Sequence, residues 1–384
     1  MEFTTLKPVE FTKFEQKQKT GNFFQSAPRA ELRQKMGFNT YLVGVKKDQK
    51  ILAAALIIEK NHEALLQLGP IMDYSDKKLL DFFLTKITDF AKSQNFIKLE
   101  IFPPIVYATR EMDGTIIEKP DTSHIFEAFE KHGFKHEGFT TEVENKANRW
   151  MFVKDLSNIK TLRDAELTMN SSTRKKLHKT ARELEIKVLK DKSELPEWRE
   201  ALLSSNERNG IPTRDIKYFE DLWDAFKDDA VFVEARVKET GELVSSEVDI
   251  FHPNEMVAFV AGTIEKNKHY NGSTAIKGWN IEECLRRKQT RMNLYGMKGD
   301  FTPNNPLLFF KSGLGGITEE YVGGFSLVLD PKKLLLNKIK RKIGKVIHWR
   351  VTDLEGDPRG VYDVGEEKVR QDPSGITVII SEYF

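Results

Sequence analysis

The chain has 384 residues, 39% hydrophobic and 31% charged, with 26 Phe, 5 Trp and 9 Tyr. That composition excludes a disordered chain, and at about 150 residues per domain the length corresponds to roughly two and a half domains. Sixty Lys and Arg against 58 Asp and Glu leave +2, so polyanion binding must come from local patches. The single cysteine, Cys284, excludes a disulfide framework or multi-cysteine metal site and fits a reducing cytosol.

Cys284 lies in Ile281-Glu-Glu-Cys-Leu, which predicts a half-buried structural thiol on a helix. The start of the chain lacks the charged and apolar regions of a signal peptide. No apolar run approaches the roughly eighteen residues that cross a bilayer. A soluble, cytoplasmic protein is expected.

In chain order, strand-like runs at 41–45 and 51–58 flank the polar turn 46–50. A third strand at 64–68 stops at Gly69-Pro70. Leu79, Leu80, Phe83, Ile87 and Phe90 then recur at helical spacing, with Ser75 as the expected N-cap. A strand at 98–102 and a helix near 123–132 follow. The same order returns later: strands at 231–237 and 242–250 about a turn ending in Gly241, a strand at 255–261 stopped by Gly262, a helix at about 273–287 and a strand at 291–295. Two copies of one α/β unit are expected. Residues 174–184, 193–207 and 216–226 read as helices between them. Residues 332–345 hold seven Lys/Arg and no acid around Leu334, Leu335, Leu336, Ile339 and Ile343, and the remainder ends in a short strand at 376–380.

This unit is the plan of an acetyl-coenzyme A N-acyltransferase. The places of the pyrophosphate loop hold Asp73-Tyr-Ser-Asp-Lys and Tyr270-Asn-Gly-Ser-Thr, neither a glycine-rich cradle, which disfavours coenzyme A. His124, His132 and His136 lack the companions of a metal site, and neither a Gly-x-Ser-x-Gly elbow nor a P-loop occurs. The strongest basic patch is the helix around Arg174, Lys175, Lys179 and Arg182, spaced to track a phosphate backbone or simply to face solvent.

Seven segments in order carry a family resemblance: Gly21-Asn-Phe-Phe-Gln-Ser, Leu68-Gly-Pro-Ile-Met-Asp-Tyr, Ser172-Thr-Arg-Lys-Lys-Leu, Arg208-Asn-Gly-Ile-Pro-Thr-Arg-Asp-Ile-Lys-Tyr-Phe, Phe259-Val-Ala-Gly, Leu294-Tyr-Gly-Met-Lys-Gly and Leu308-Phe-Phe-Lys-Ser-Gly-Leu-Gly-Gly. Over residues 10–332 the chain resembles the Fem-type aminoacyltransferases, the FemABX family. The resemblance implies two tandem acetyltransferase-like (GNAT-like) α/β domains with mixed sheets flanked by helices, and no coiled-coil arm. It places the first domain at 1–146 plus about 317–346, the second at 147–316 and an extension at 347–384. It implies a monomer with no cofactor, taking an amino acid (Ala, Ser or Gly) from aminoacyl-tRNA to the side-chain amine of a peptidoglycan precursor's stem peptide, either UDP-MurNAc-pentapeptide or a lipid-linked form.

Carried over by motif, Arg214 and Tyr218 bind the acceptor's nucleotide and phosphates, with Arg33 or Lys35 doing similar work. Phe310 and Lys311 lie by the reacting ester, where Lys311 stabilises the oxyanion, orients the terminal adenosine or simply caps its helix. Arg174, Lys175, Lys179 and Arg182 are the expected tRNA contacts. Two departures stand out: Phe102 occupies the place of an aspartate, and tyrosines expected near Ala258 and Val260 are absent. A coenzyme A-dependent N-acyltransferase and a non-catalytic binder of tRNA or envelope precursors are the rival readings. Residues 332–345 fit either a helix packed back on the first domain or a basic amphipathic contact with the inner membrane face.

Overall fold

The computed structural model describes residues 1–143, 146–302 and 305–340, with the backbone of two short strands at 368–371 and 377–380. The first half runs β1 (Glu2–Thr5), α1 (Pro8–Glu15), a 3-10 turn (Phe23–Gln25), α2 (Ala27–Lys35), β2 (Asn39–Lys47), β3 (Lys50–Lys60), β4 (Glu63–Leu66), β5 (Ile71–Met72), α3 (Lys77–Ser93) and β6 (Lys98–Ile101). After it come β7 (Val106–Arg110), β8 (Ile116–Glu118), α4 (Ser123–Lys131), β9 (Lys135–His136) and β10 (Trp150–Asp155). The second half continues with α5 (Leu162–Leu167), α6 (Ser171–Glu183), β11 (Leu184–Val188), α7 (Leu195–Asn209), α8 (Ile216–Phe226), β12 (Ala230–Val237), β13 (Leu243–His252), β14 (Glu255–Thr263), α9 (Gly272–Arg286), β15 (Arg291–Gly296) and α10 (Pro306–Gly313). β16 (Ile317–Tyr321), β17 (Phe325–Val328) and a helix at 331–340, here α11, follow. β18 (Lys368–Gln371) and β19 (Thr377–Ile380) form an antiparallel pair.

The expected repeat is present. In each half a hairpin, a third strand, a helix and a parallel strand follow one another: β2–β3, β4, α3 and β6, then β12–β13, β14, α9 and β15. Both sheets are mixed, in the orders β1-β2-β3-β4-β6-β17-β9 and β11-β12-β13-β14-β15-β10-β16-β7-β8. The molecule is thus two acetyltransferase-like α/β units, and α3, at 17 residues, is the longest helix given in full among the described residues. Gly69, just beyond β4, and Gly262, the penultimate residue of β14, share a cause. A Cβ on Gly69 would lie 2.5 Å from the Gln25 side chain, and one on Gly262 2.4 Å from the Ala201 carbonyl.

α3 buries Leu79, Leu80, Phe83, Leu84 and Ile87 against the first sheet. Its cap is Asp76 rather than Ser75: the Asp76 carboxylate accepts from the Lys78 and Leu79 amides, and Ser75 is turned to Asp73. The helix expected at 174–184 begins at Ser171, capped by Asn170, and Leu184 already belongs to edge strand β11. Trp198 of α7 is fully buried, its indole N–H shared between the Val233 and Glu247 carbonyls.

Strand membership does not follow a single cut point. β7, β8 and β16 lie in the second sheet, whereas β9 and β17 lie in the first, so the chain passes between sheets after 101, 118, 136 and 321. The 3-10 turn and α2 sit between the halves, sharing one core with α8, β13 and β14. Phe23 meets Phe226 and Phe259 edge-on at 6.1 and 5.3 Å. Buried Glu15 hydrogen-bonds His252, and the Asn254 amide donates to the Gln18 and Gly21 carbonyls at 2.7 Å each.

Candidate functional site

α2 is held at its start by side-chain chemistry. Gln25 is completely buried: its amide N–H groups donate to the Leu56 and Gln67 carbonyls, and its oxygen accepts from the Leu56 amide at 2.8 Å. Ser26 caps the helix by accepting from the Arg29 amide. Four-residue steps from Gln25 lead to Arg29 and Arg33, which point into the seam at 2% and 1% exposure. Arg29 Nη2 donates to Gln67 Oε1 at 3.2 Å, and its guanidinium lies 5.5 Å from the Phe24 ring.

Arg214 comes from the other half, just before α8, whose cap is Asp215 accepting from the Lys217 amide. Arg199 binds the Arg214 carbonyl at 2.8 Å, and the Arg214 guanidinium stacks 4.0 Å from the Tyr218 ring centre. Tyr295 of β15 completes the group. Burial, then the charges of Arg29 and Arg214, push Arg33 well below the usual guanidinium value. Burial also lowers Arg214. Burial works to raise the Tyr218 phenol, yet Arg214, Arg29 and Arg33 together draw it below its ordinary value. Tyr295 is raised by burial. Three guanidiniums and two phenols thus share one enclosed field, which suits an anion with several oxygens. Lys35, the alternative to Arg33, lies outside it, 3.2 Å from Glu31 and 3.9 Å from Asp224.

Tyr295 links this cluster to Lys311. β14 and β15 pair in parallel only at Met256–Met292 and Val257–Asn293. Tyr295 then takes a left-handed backbone conformation, φ 65°, with its amide held by Asn293 Oδ1 at 2.8 Å. Lys311 Nζ donates to the Tyr295 and Gly296 carbonyls at 3.1 and 2.8 Å, so it serves β15 rather than capping its own helix. Burial, aided by the Lys277 charge, pushes the Lys311 ammonium down to about 7. A value there makes both the amine and the ammonium form accessible near neutral pH. Behind it, Lys277 pairs with Glu247, and Asn280 donates to Glu247 and Asp249. Burial and the Glu247 charge hold Asp249 far above the carboxylate range. Phe310 is half-buried against the core of the second half, and it is neighbouring Phe309 that stands 62% exposed.

The basic helix α6 adjoins α10: the Asn170 amide donates to the Gly313 carbonyl at 3.1 Å. Lys175 and Arg182 face solvent. Arg174 reaches the Glu166 carbonyl and Lys179 lies 3.6 Å from Glu183. Phe102 is buried against Gly324, and the phenols near the arginines belong to Tyr218 and Tyr295. His124, His132 and His136 each bind a different backbone carbonyl and do not converge. Arg29, Gln25 and Tyr295 were not singled out by sequence; the Gln25–Arg29–Arg33 spacing was the available signal.

The sequence model described as the FemAB family matches residues 6–240 and 235–341. The chain belongs to the FemAB family. It is 23% identical to aminoacyltransferase FemA and 24% identical to aminoacyltransferase FemB of Staphylococcus epidermidis, each alignment covering 90% of this chain and 100% of the relative. The crystal structure of FemX superposes with a TM-score of 0.76 at 17% identity, over 88% of this chain and 99% of that one. A protein of unknown function from Bacteroides thetaiotaomicron reaches 0.52 at 10% identity, over 85% and 99%.

Proposed function

We propose that this FemAB-family chain is an aminoacyltransferase that moves an amino acid from aminoacyl-tRNA to the side-chain amine of a peptidoglycan precursor's stem peptide. The acceptor amine attacks the ester carbonyl, an amide bond forms, and the 3′ oxygen of the tRNA leaves with a proton. Arg33, Arg214 and Tyr218 hold the acceptor's phosphates, and the ester lies by Lys311. In its ammonium form Lys311 stabilises the oxyanion; in its amine form, two N–H groups serve the β15 carbonyls and a lone pair remains to take a proton. α6 leads the tRNA towards α10. The enzyme works in the cytoplasm at the inner membrane face, which α11 touches.

The observation that supports this reading is Tyr295, whose carbonyl bonds Lys311 and whose ring stands in the arginine field. Tyr295 thus stands between a group of buried guanidiniums and a buried lysine. The test is transfer of radiolabel from alanyl-, seryl- and glycyl-tRNA to UDP-linked pentapeptide and to its lipid-linked form. Label should move from one of the three. Failure with every pair, alongside acylation of an amine by acetyl-coenzyme A, would replace this reading with the coenzyme A one.

A further inference from the structure

The acceptor site contains a guanidinium with unspent donors. Arg29 is 2% exposed, and of its five N–H groups those on Nη2 are turned to Gln67. Its Nε and Nη1 are enclosed without a well-formed hydrogen bond, and the Tyr218 hydroxyl, likewise without one, lies close enough to Arg29 for the guanidinium to draw the phenol down. Among the described residues Arg29 has no carboxylate partner, although its charge depresses both Arg33 and Arg214. A buried charge that repels two others and leaves donors unbonded destabilises the free protein, and burial of that kind is relieved by a bound counter-ion.

We propose that Arg29 is a specificity residue: with Tyr218 it grips a second phosphoryl group beside the one held by Arg33 and Arg214, so that the seam selects diphosphates over monophosphates. This rests on the reading of the seam as the acceptor's phosphate site. Arg33 and Arg29 lie one helical turn apart on α2, and Arg214 enters from the opposite half, so guanidiniums approach the seam from more than one element. Each fork matches phosphate oxygens in its own plane, a geometry lysine does not reproduce. Gln67 orients Arg29, and Gln25 fixes the helix that carries it.

The experiment is calorimetric titration of the full chain with inorganic pyrophosphate and with inorganic phosphate, alongside thermal unfolding without ligand. Arg29→Gln should weaken pyrophosphate by about ten- to a hundredfold while changing phosphate by less than about threefold. Its Tm without ligand should stay level or rise, because a repelling charge is removed; a merely structural arginine would lower it. Arg29→Lys should keep the charge and still lose most of the preference for pyrophosphate. Equal weakening of both anions, or a lower Tm with the preference intact, overturns the proposal. If Arg33→Gln and Arg214→Gln lose pyrophosphate and Arg29→Gln does not, only the role of Arg29 falls. If the unaltered chain ignores pyrophosphate, the phosphate reading of the seam falls as well.

Discussion

At the scale of single residues, Lys311 makes the sharpest demand. An unfolded lysine titrates near 10.5 and this one at about 7, so between those values the unfolded chain holds the extra proton. Stability therefore rises with pH through that window, and the cost of burying the charge is complete below 7. Lys311→Met should remove a slope of about 1.4 kcal/mol per pH unit from the difference between variant and parent, read by denaturant unfolding from pH 7 to 10. The same variant should lose transfer. An unchanged slope would place Lys311 in contact with water. For Arg214→Ala the expected result is an acceptor KM raised about ten- to a hundredfold with little change for tRNA, measured by steady-state transfer. Arg33, Arg214, Tyr218 and Lys311 were legible only through family motifs. A helix such as 27–35 reads as ordinary amphipathic sequence, and nothing local says that its arginines face another half of the chain.

At the scale of elements, α11 is anchored on the first half and yet carries an exposed apolar stripe. Leu334 is tucked in at 9% exposure and Asn337 donates to the Asn61 carbonyl, but Leu335, Leu336 and Ile339 stand 59%, 55% and 44% exposed. At 100° per residue these three form one outward stripe, with Lys332 at its N-terminal end, Lys338 on one flank and Lys333 and Lys340 on the other. That arrangement suits apolar insertion among anionic headgroups, at about 1 kcal/mol for each nearby lysine. Residues 341–345 of the expected segment lie outside the described residues. Flotation with vesicles containing anionic lipid should capture the full chain at low salt and release it at high salt. Changing the three apolar residues to Ser should abolish capture, and a chain that never floats removes the membrane contact. For α6, neutralising Arg174, Lys175 and Lys179 should lower the salt dependence of tRNA binding by up to about three units of slope, the exposed Lys175 contributing most. An unaltered slope would leave α6 a solvated surface. The long hairpins and α3 were readable because their apolar periods are unbroken over many residues. β7, β8, β9 and β17 were not, since strands of two to five residues have no period to show and take their partners from far along the chain.

At the scale of the whole molecule, the two sheets exchange strands and share a core, so the halves are expected to unfold together. Calorimetry on residues 1–340 is expected to give one unfolding transition whose calorimetric and van't Hoff enthalpies agree. Two resolved transitions would show that the exchanged strands do not couple the halves. The strand exchange also bears on how substrates arrive. Proteins that close on a ligand usually bend at a few loop or element-terminal residues that absorb the change in backbone angle. Here, among the described residues, four crossings, the wedge of α2 and the Glu15–His252 contact tie the halves together and oppose such bending. A ligand entering the seam would meet guanidiniums already set by contacts from both halves, Arg33 on α2 and Arg214 before α8, so fixed charge rather than a moving jaw would do the selecting.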